Sequence, residues 1–390
     1  MPGMVQDDRR PHNELPVKIS LTNEAVARFR ANKKRLQHLR MADDTDSYGF
    51  CGTRFEPELL DRLIGSRILS GIETTGTDLF SKRHEILDLT GAVVRTILYD
   101  KFSRAFQALV YGSAAVKHWN RHNPHSVIDE NTRIGEKQAS GFLARHSREF
   151  QRLSLAILRP VLRALETDLR LGTDDRNEKI QLSRTFLRRV NPAVWYVVIA
   201  LCTGTAEDEV LSGARSLLRR YLQKSSIVDY IGLIIVELVG YLQNTMLLRH
   251  ARSHKPDVTF DTLIREPALL DQVRNEVAVG EEQQAISWRL APSGGSFDKR
   301  VRLVISVYSR GEEYAVTKER VNEHKKTTSK ESSLKKFLSS TADGTIDSDL
   351  GLYYLTDLTR SCNELGVLFD SSVVEVGRDR RSSITLTFHF

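Results

Sequence analysis

Glu237 and Asn244 stand seven residues apart. On a helix that spacing is nearly two full turns, which returns both side chains to one face within about 20°. Such a face sets a carboxylate beside an amide at the rim of a sheet. The simpler alternative is that both are polar residues on the open side of a helix otherwise buried through Ile231, Ile234, Ile235, Leu238 and Leu242. Downstream, Gly311 ends an apolar run, and Asp349, Gly351 and Leu352 mark the entrance to another helical pattern. Gly311 also reads as an ordinary turn glycine, and Asp349 as an ordinary N-cap. His118, His122 and His125 have the i, i+4, i+7 spacing of a metal-binding helix face. Pro124 interrupts that helix, and no neighbouring carboxylate or cysteine completes a ligand set. Cys51, Cys202 and Cys362 are too far apart in sequence for metal or redox spacing, so they read as reduced thiols. The chain contains no Walker A loop, no Gly-x-Ser-x-Gly elbow and no His-Glu-x-x-His motif.

The elements that would position these residues fall into two halves. Residues 1–20 are polar and loose. Helices are expected at 22–40, where Val26, Phe29 and Leu36 recur behind a Thr22 or Asn23 cap, and at 57–70, 84–119 and 136–171, with 41–56 as a loop. Pro160 should kink or end the helix that contains it, and Asn123-Pro124 should break the chain. Further helices are expected at 180–190, 193–203, 206–223, 227–252 and 268–279. From Ala285 the pattern alternates: Ile286–Leu290 and Val301–Tyr308 read as a β-hairpin around Pro292, Gly294 and Gly295. Residues 315–347 are polar and lysine-rich. A helix at 349–364 and strands at 367–376 and 383–390 complete the chain. The expected class is α+β: a helical N-terminal half followed by an α/β sandwich, divided as 1–45, 46–180 and 181–390.

The order of elements from 227 to 390 resembles the GHKL ATP-binding domain of sensor histidine kinases, anti-sigma-factor kinases, gyrase-type topoisomerases and a heat-shock chaperone. Glu237-Leu-Val-Gly-Tyr-Leu-Gln-Asn244-Thr resembles the N-box helix. Val304-Ile-Ser-Val-Tyr-Ser-Arg-Gly311 resembles the strand entering the first glycine box. Asp349-Leu-Gly351-Leu352-Tyr-Tyr-Leu resembles the second glycine box, and Ser-Ser-Ile-Thr-Leu-Thr-Phe-His-Phe at 382–390 the closing strand. The resemblance implies Mg-ATP as cofactor, with Asn244 holding Mg²⁺, Gly311, Asp349, Gly351 and Leu352 around the nucleotide, Glu237 in a catalytic role, and 315–347 as the lid. It also departs from the family. Tyr308 or Ser309 stands where an aspartate receives the adenine amino group, and Arg310 where a small polar residue is usual. Asp349 replaces a glycine and competes with phosphate for the helix N-terminus. His146 stands ahead of this domain as a phospho-acceptor would, but Ser147 and Arg148 follow it in place of the usual acidic residue.

At 390 residues the chain exceeds a single core, and 40% hydrophobic content excludes a wholly disordered protein. A net charge of +7, from 57 basic against 50 acidic residues, is a mixed surface with a basic bias, open to anionic partners of several kinds. The first ten residues lack a signal-peptide core. The run 193–202 is too short to span a bilayer, and 227–242 carries Asp229 and Glu237, so a cytoplasmic protein without membrane insertion is expected. The leading expectation is a regulatory protein with a degenerate, pseudo-ATPase GHKL-like fold. It would act through a protein partner or as a homodimer, without a cofactor. The alternatives are an active Mg-ATP-dependent kinase or ATPase, and a nucleic-acid binder using Arg28–Arg40 and the lysines at 318–336.

Overall fold

The computed structural model describes residues 15–129, 132, 134–169, 171–279, 283–292, 301–310, 314–326, 350–377 and 381–390. The chain divides into two compact units: residues 1–96 with 227–390, and residues 97–226. Boundaries at 45 and 180, drawn from composition, do not coincide with this division. Strand pairing sets it, and pairing joins segments far apart in sequence.

Among the described residues of the first unit, eight strands form a single sheet: β1 (Val17–Leu21), β2 (Gln37–Arg40), β3 (Asp46–Gly52), β4 (Leu69–Gly76), β5 (Gln284–Pro292), β6 (Val301–Arg310), β7 (Leu368–Val376) and β8 (Arg381–His389). Their order is β2-β3-β1-β4-β5-β6-β8-β7, and every pairing is antiparallel. The β5–β6 hairpin and the β7–β8 pair stand where alternation placed them. They belong to one sheet because β8 pairs with β6, for example Ile305 with Leu386. The α+β class holds, but the N-terminal segment is not purely helical. The expected helix at 22–40 is α1 (Asn23–Ala31), capped by Thr22, followed by strand β2, and the expected loop at 41–56 contains β3. The expected helix at 57–70 ends at Gly65, as α2 (Pro57–Gly65), and β4 begins at Leu69. β2 pairs locally with β3, while β3 and β4 take hydrogen bonds from β1 and β5, distant in sequence, which overrides weak local propensity.

Side chains alternate across the sheet. One face carries Ile19, Ile72, Ile286, Trp288, Leu303, Ile305, Val307, Ile384, Leu386 and Phe388, all buried. The opposite face carries Lys18, Ser20, Glu73, Ser287, Ser306, Tyr308, Ser383 and Thr385, linked by hydroxyl contacts such as Ser306 to Thr385 at 3.0 Å. The turn at Met41–Thr45 docks on this polar face. The Ala42 N–H donates to Glu73 Oε2 at 2.7 Å, Arg289 pairs with Asp43 at 2.5 Å, and Arg381 donates to the Ala42 carbonyl at 3.3 Å.

The first unit also holds the start of α3 (Arg83–Tyr111), then α10 (Ile227–His254), α11 (Phe260–Arg265), α12 (Pro267–Val279), α13 (Tyr314–Lys326) and α14 (Leu350–Glu364). Helix α10 is apolar nearly all round, the signature of a buried helix, and it packs on α14, α12 and β6. Helix α14 closes with Gly366 at φ +62°. Val367 N–H bonds back to the Cys362 carbonyl at 2.8 Å and Gly366 N–H to Asn363 at 3.1 Å, a Schellman end that only glycine enters without strain. The polar, lysine-rich stretch that the resemblance assigns to a lid begins within α13, and its remainder lies outside the described residues.

The second unit is helical. It holds the end of α3, then α4 (Ala114–His122), α5 (Glu136–Arg145), α6 (Ser147–Thr167), α7 (Thr173–Arg189), α8 (Pro192–Leu201) and α9 (Thr205–Ser225). The chain breaks at Asn123-Pro124 as expected. The single helix expected over 136–171 is two, separated at His146, and α6 continues through Pro160. Aromatic side chains fill the core: Phe106 and Phe150 meet the Trp195 ring edge-on, and Phe102 and Phe186 meet Tyr221. The stretch Thr205–His254 contains an apolar window long enough to cross a membrane, but 72% of that window is buried inside the protein, as in a core helix.

Candidate functional site

Glu237 and Asn244 both lie on α10, two turns and about 10.5 Å apart along the axis. The same face carries Tyr230 and Leu233, which are 50% and 47% exposed on a helix whose other sides are buried. Glu237 is half-buried, and burial pushes its carboxyl pKa above the usual carboxylate range. No hydrogen bond or ion pair within the described residues offsets that burial. Asn244 is likewise partly buried, and its amide has no partner among the described residues. A desolvated carboxylate without a partner costs stability and is the kind of group found where proton transfer occurs.

Gly351 and Leu352 fall in the first turn of α14, and α14 packs along α10. Gly311 and Asp349 lie outside the described residues. Tyr308 and Ser309, the two residues at the end of β6, face opposite sides of the sheet. Tyr308 points to the polar face, its hydroxyl 3.3 Å from Ser287 Oγ, whereas Ser309 shares a face with Val307 and Ile305. Ser309 is buried, and its hydroxyl meets Ser382 Oγ at 3.2 Å across β6 and β8. The end of β6 therefore presents a neutral hydroxyl pair on the apolar face.

The other sequence candidates have local roles. His146 sits in the break between α5 and α6, its ring stacked on Phe142 at 4.2 Å and its Nδ1 3.9 Å from Glu149. His118 and His122 stack at 4.3 Å, and the His118 carbonyl lies 3.0 Å from His122 Nδ1. Among the described residues no group of three metal-binding side chains converges. Cys51 is exposed, and Cys202 and Cys362 are buried free thiols.

Sequence reasoning missed where the charge resides. Residues 97–226 hold 21 Lys and Arg against 13 Asp and Glu, a net of +8. From the chain totals of 57 and 50, 36 and 37 remain for the first unit, a net of −1. A count over the correct segment reveals this, but the segment is visible only once the strand pairing is known.

The family match extends over residues 8–390. The chain belongs to DUF8084, a family of unknown function. An uncharacterized protein of Treponema pallidum (strain Nichols) is 27% identical over 378 residues, covering 96% of this chain and 97% of that protein. No solved structure matches. The match places the sheet strands of both chain ends and the helical segment between them inside one DUF8084 unit of sequence. That family carries no stated activity, so a functional reading stands on the site.

Proposed function

We propose that this DUF8084 protein is a regulatory protein whose residues 227–390 form a divergent GHKL-like fold, degenerate as an ATPase and acting through protein contacts. The observation that carries this reading is the buried Ser309–Ser382 hydroxyl pair at the end of β6. A fixed carboxylate acceptor is what an exocyclic amino group needs, and two buried neutral hydroxyls bonded to each other supply no such charge. The arrangement around it supports the resemblance: α10, the β5–β6 hairpin, α13, α14 packed on α10, and β7–β8 completing the sheet beside β6 follow one another in the family's order. The exposed Tyr230 and Leu233 on α10 supply an apolar surface of the kind that protein partners bury.

A second reading, an active Mg-ATP-dependent kinase or ATPase, draws on one observation: the half-buried, unpartnered Glu237, whose raised pKa suits a general base. Calorimetric titration of the full chain with ATP and ADP, with and without Mg²⁺, separates the two. The pseudo-ATPase reading expects no Mg²⁺-dependent heat and no thermal shift. A saturable, Mg²⁺-dependent signal abolished by Asn244→Ala would overturn it in favour of the enzyme. Ligand at 100 times its dissociation constant stabilises a fold by about 2.7 kcal/mol, well within detection.

A further inference from the structure

We infer that the exposed face of α6 in the helical unit is a docking surface for the phosphate backbone of a nucleic acid. Arg148, Arg152, Arg159 and Arg163 recur at intervals of four, seven and four residues, which puts them on one stripe of the helix. All four are exposed, and the stripe runs about 22 Å along the axis. Arg152 is held by Glu207, with Nη1 at 2.6 Å from Oε1 and Nη2 at 2.8 Å from Oε2. The guanidinium groups of Arg148, Arg159 and Arg163 have no hydrogen-bond or ion-pair partner among the described residues. Acidic residues near the stripe include Glu149 beside His146, Glu207 on Arg152, and Glu166 three residues beyond Arg163.

Three features select the partner. The helical unit carries the whole positive excess of the chain, and 16 of its 21 basic residues are arginine. Arginine presents a planar fork of donors that grips phosphate oxygens in pairs. A row of unpaired guanidinium groups repeating at turn spacing matches an anion that itself repeats, whereas a protein surface offers isolated carboxylates. A lipid surface fits less well: Leu153, Ile157 and Val161, the apolar side of α6, are buried inside the unit, and only Leu155, 45% exposed, protrudes on the arginine face. With no exposed aromatic ring on the stripe to stack on bases, the contact is to backbone charge and carries little sequence preference.

The test uses the full chain and fluorescence anisotropy of a short labelled duplex DNA over a salt series. The wild type should bind at low salt with an affinity that falls steeply as salt rises. The triple variant Arg148→Gln, Arg159→Gln, Arg163→Gln should lower the log–log slope by about 2.7, from three phosphate contacts at about 0.9 each. Arg159→Gln alone, a single exposed change, should lower it by about 0.9 and guards against misfolding of the triple variant. The α1 variant Arg28→Gln, Arg30→Gln should keep the wild-type slope. Absence of binding at low salt, an unchanged slope in both α6 variants, or binding to phosphatidylserine vesicles without binding to duplex would each overturn the inference.

Discussion

Lys18→Met should loosen the N-terminal strands from the rest of the sheet. Lys18 Nζ donates to Glu73 Oε1 at 2.9 Å and to the Arg40 carbonyl at 3.0 Å, and Glu73 Oε2 accepts from Ala42 N–H at 2.7 Å. One ammonium and one carboxylate thereby join β1, β4, the end of β2 and the turn that follows it. The Glu73 side chain is fully buried and that of Lys18 is 31% exposed. Removing one partner of a fully buried ion pair costs about 3–5 kcal/mol, because the remaining charge is stranded. Lys18 is partly hydrated and the Ala42 N–H stays on the carboxylate, so the expected loss is about 2–3 kcal/mol. Glu73→Gln keeps an acceptor for Ala42 and leaves no buried charge, and should cost about 1–2 kcal/mol. The double variant should then be little worse than Glu73→Gln alone, a coupling of more than about 1 kcal/mol. Amide exchange of β1 and β4 reads the local stability directly, which matters because two units need not unfold together. Lys18→Met within about 0.5 kcal/mol of wild type, or strict additivity in the double variant, would refute the reasoning.

Glu237→Gln tests the cost of a desolvated carboxylate at the candidate site. Burial raises its pKa above the ordinary 4.5, so the folded protein binds the proton more tightly than the unfolded chain does. The contribution of Glu237 to stability is therefore fully present below pH 4.5 and is lost as pH rises through the raised value. Glu237→Gln should raise the melting temperature at neutral pH, and the gain should close in acid; a variant less stable than wild type at pH 7 would contradict this. For the thiols, an aromatic disulfide reagent should react at Cys51 in the native protein and at all three cysteines only after unfolding. Burial pushes Cys362 up to about 12 and also raises Cys202, so rapid native labelling of either would count against this packing. Gly49→Ala should disrupt the β3–β1 pairing by several kcal/mol, since a Cβ there would overlap the Ile19 carbonyl; a soluble variant with wild-type exchange in β1 would show otherwise.

The parts of the fold that were legible share a property: their signal is local. Ile286–Leu290 and Val301–Tyr308 alternate apolar and polar residues because each strand has one face on the core, and α10 reads as buried because apolar residues occupy nearly all its sides. The N-terminal strands lack such a signal. Gln-His-Leu-Arg at β2 has a single buried residue, Leu39, and β3 contains two glycines, so neither shows a pattern without its neighbours. β2 is a strand through its local hairpin with β3, whereas β3 is tied into the sheet by β1, about thirty residues upstream, and β4–β5 pairing spans more than two hundred. At the candidate site, one face for Glu237 and Asn244 followed from helical spacing alone. Which of Tyr308 and Ser309 faces the apolar side did not, because a shift of one residue reverses which side of the sheet a side chain occupies.

The division of charge and of chemistry between the two units follows from the same pairing. Glu237, Asn244, the Ser309–Ser382 pair and the first turn of α14 belong to the unit with net −1, whereas the unpaired arginines of α6 belong to the unit with net +8. Any Mg²⁺-dependent nucleotide signal would thus trace to residues of one unit, and salt-dependent duplex binding to residues of the other. With the functions on separate units, Asn244→Ala and Arg159→Gln should act independently: the first without effect on the salt slope for duplex, the second without effect on any Mg²⁺-dependent nucleotide signal. A shared response to both substitutions would mean that a single anion site serves both measurements, and the assignment of the two functions to separate units would fail.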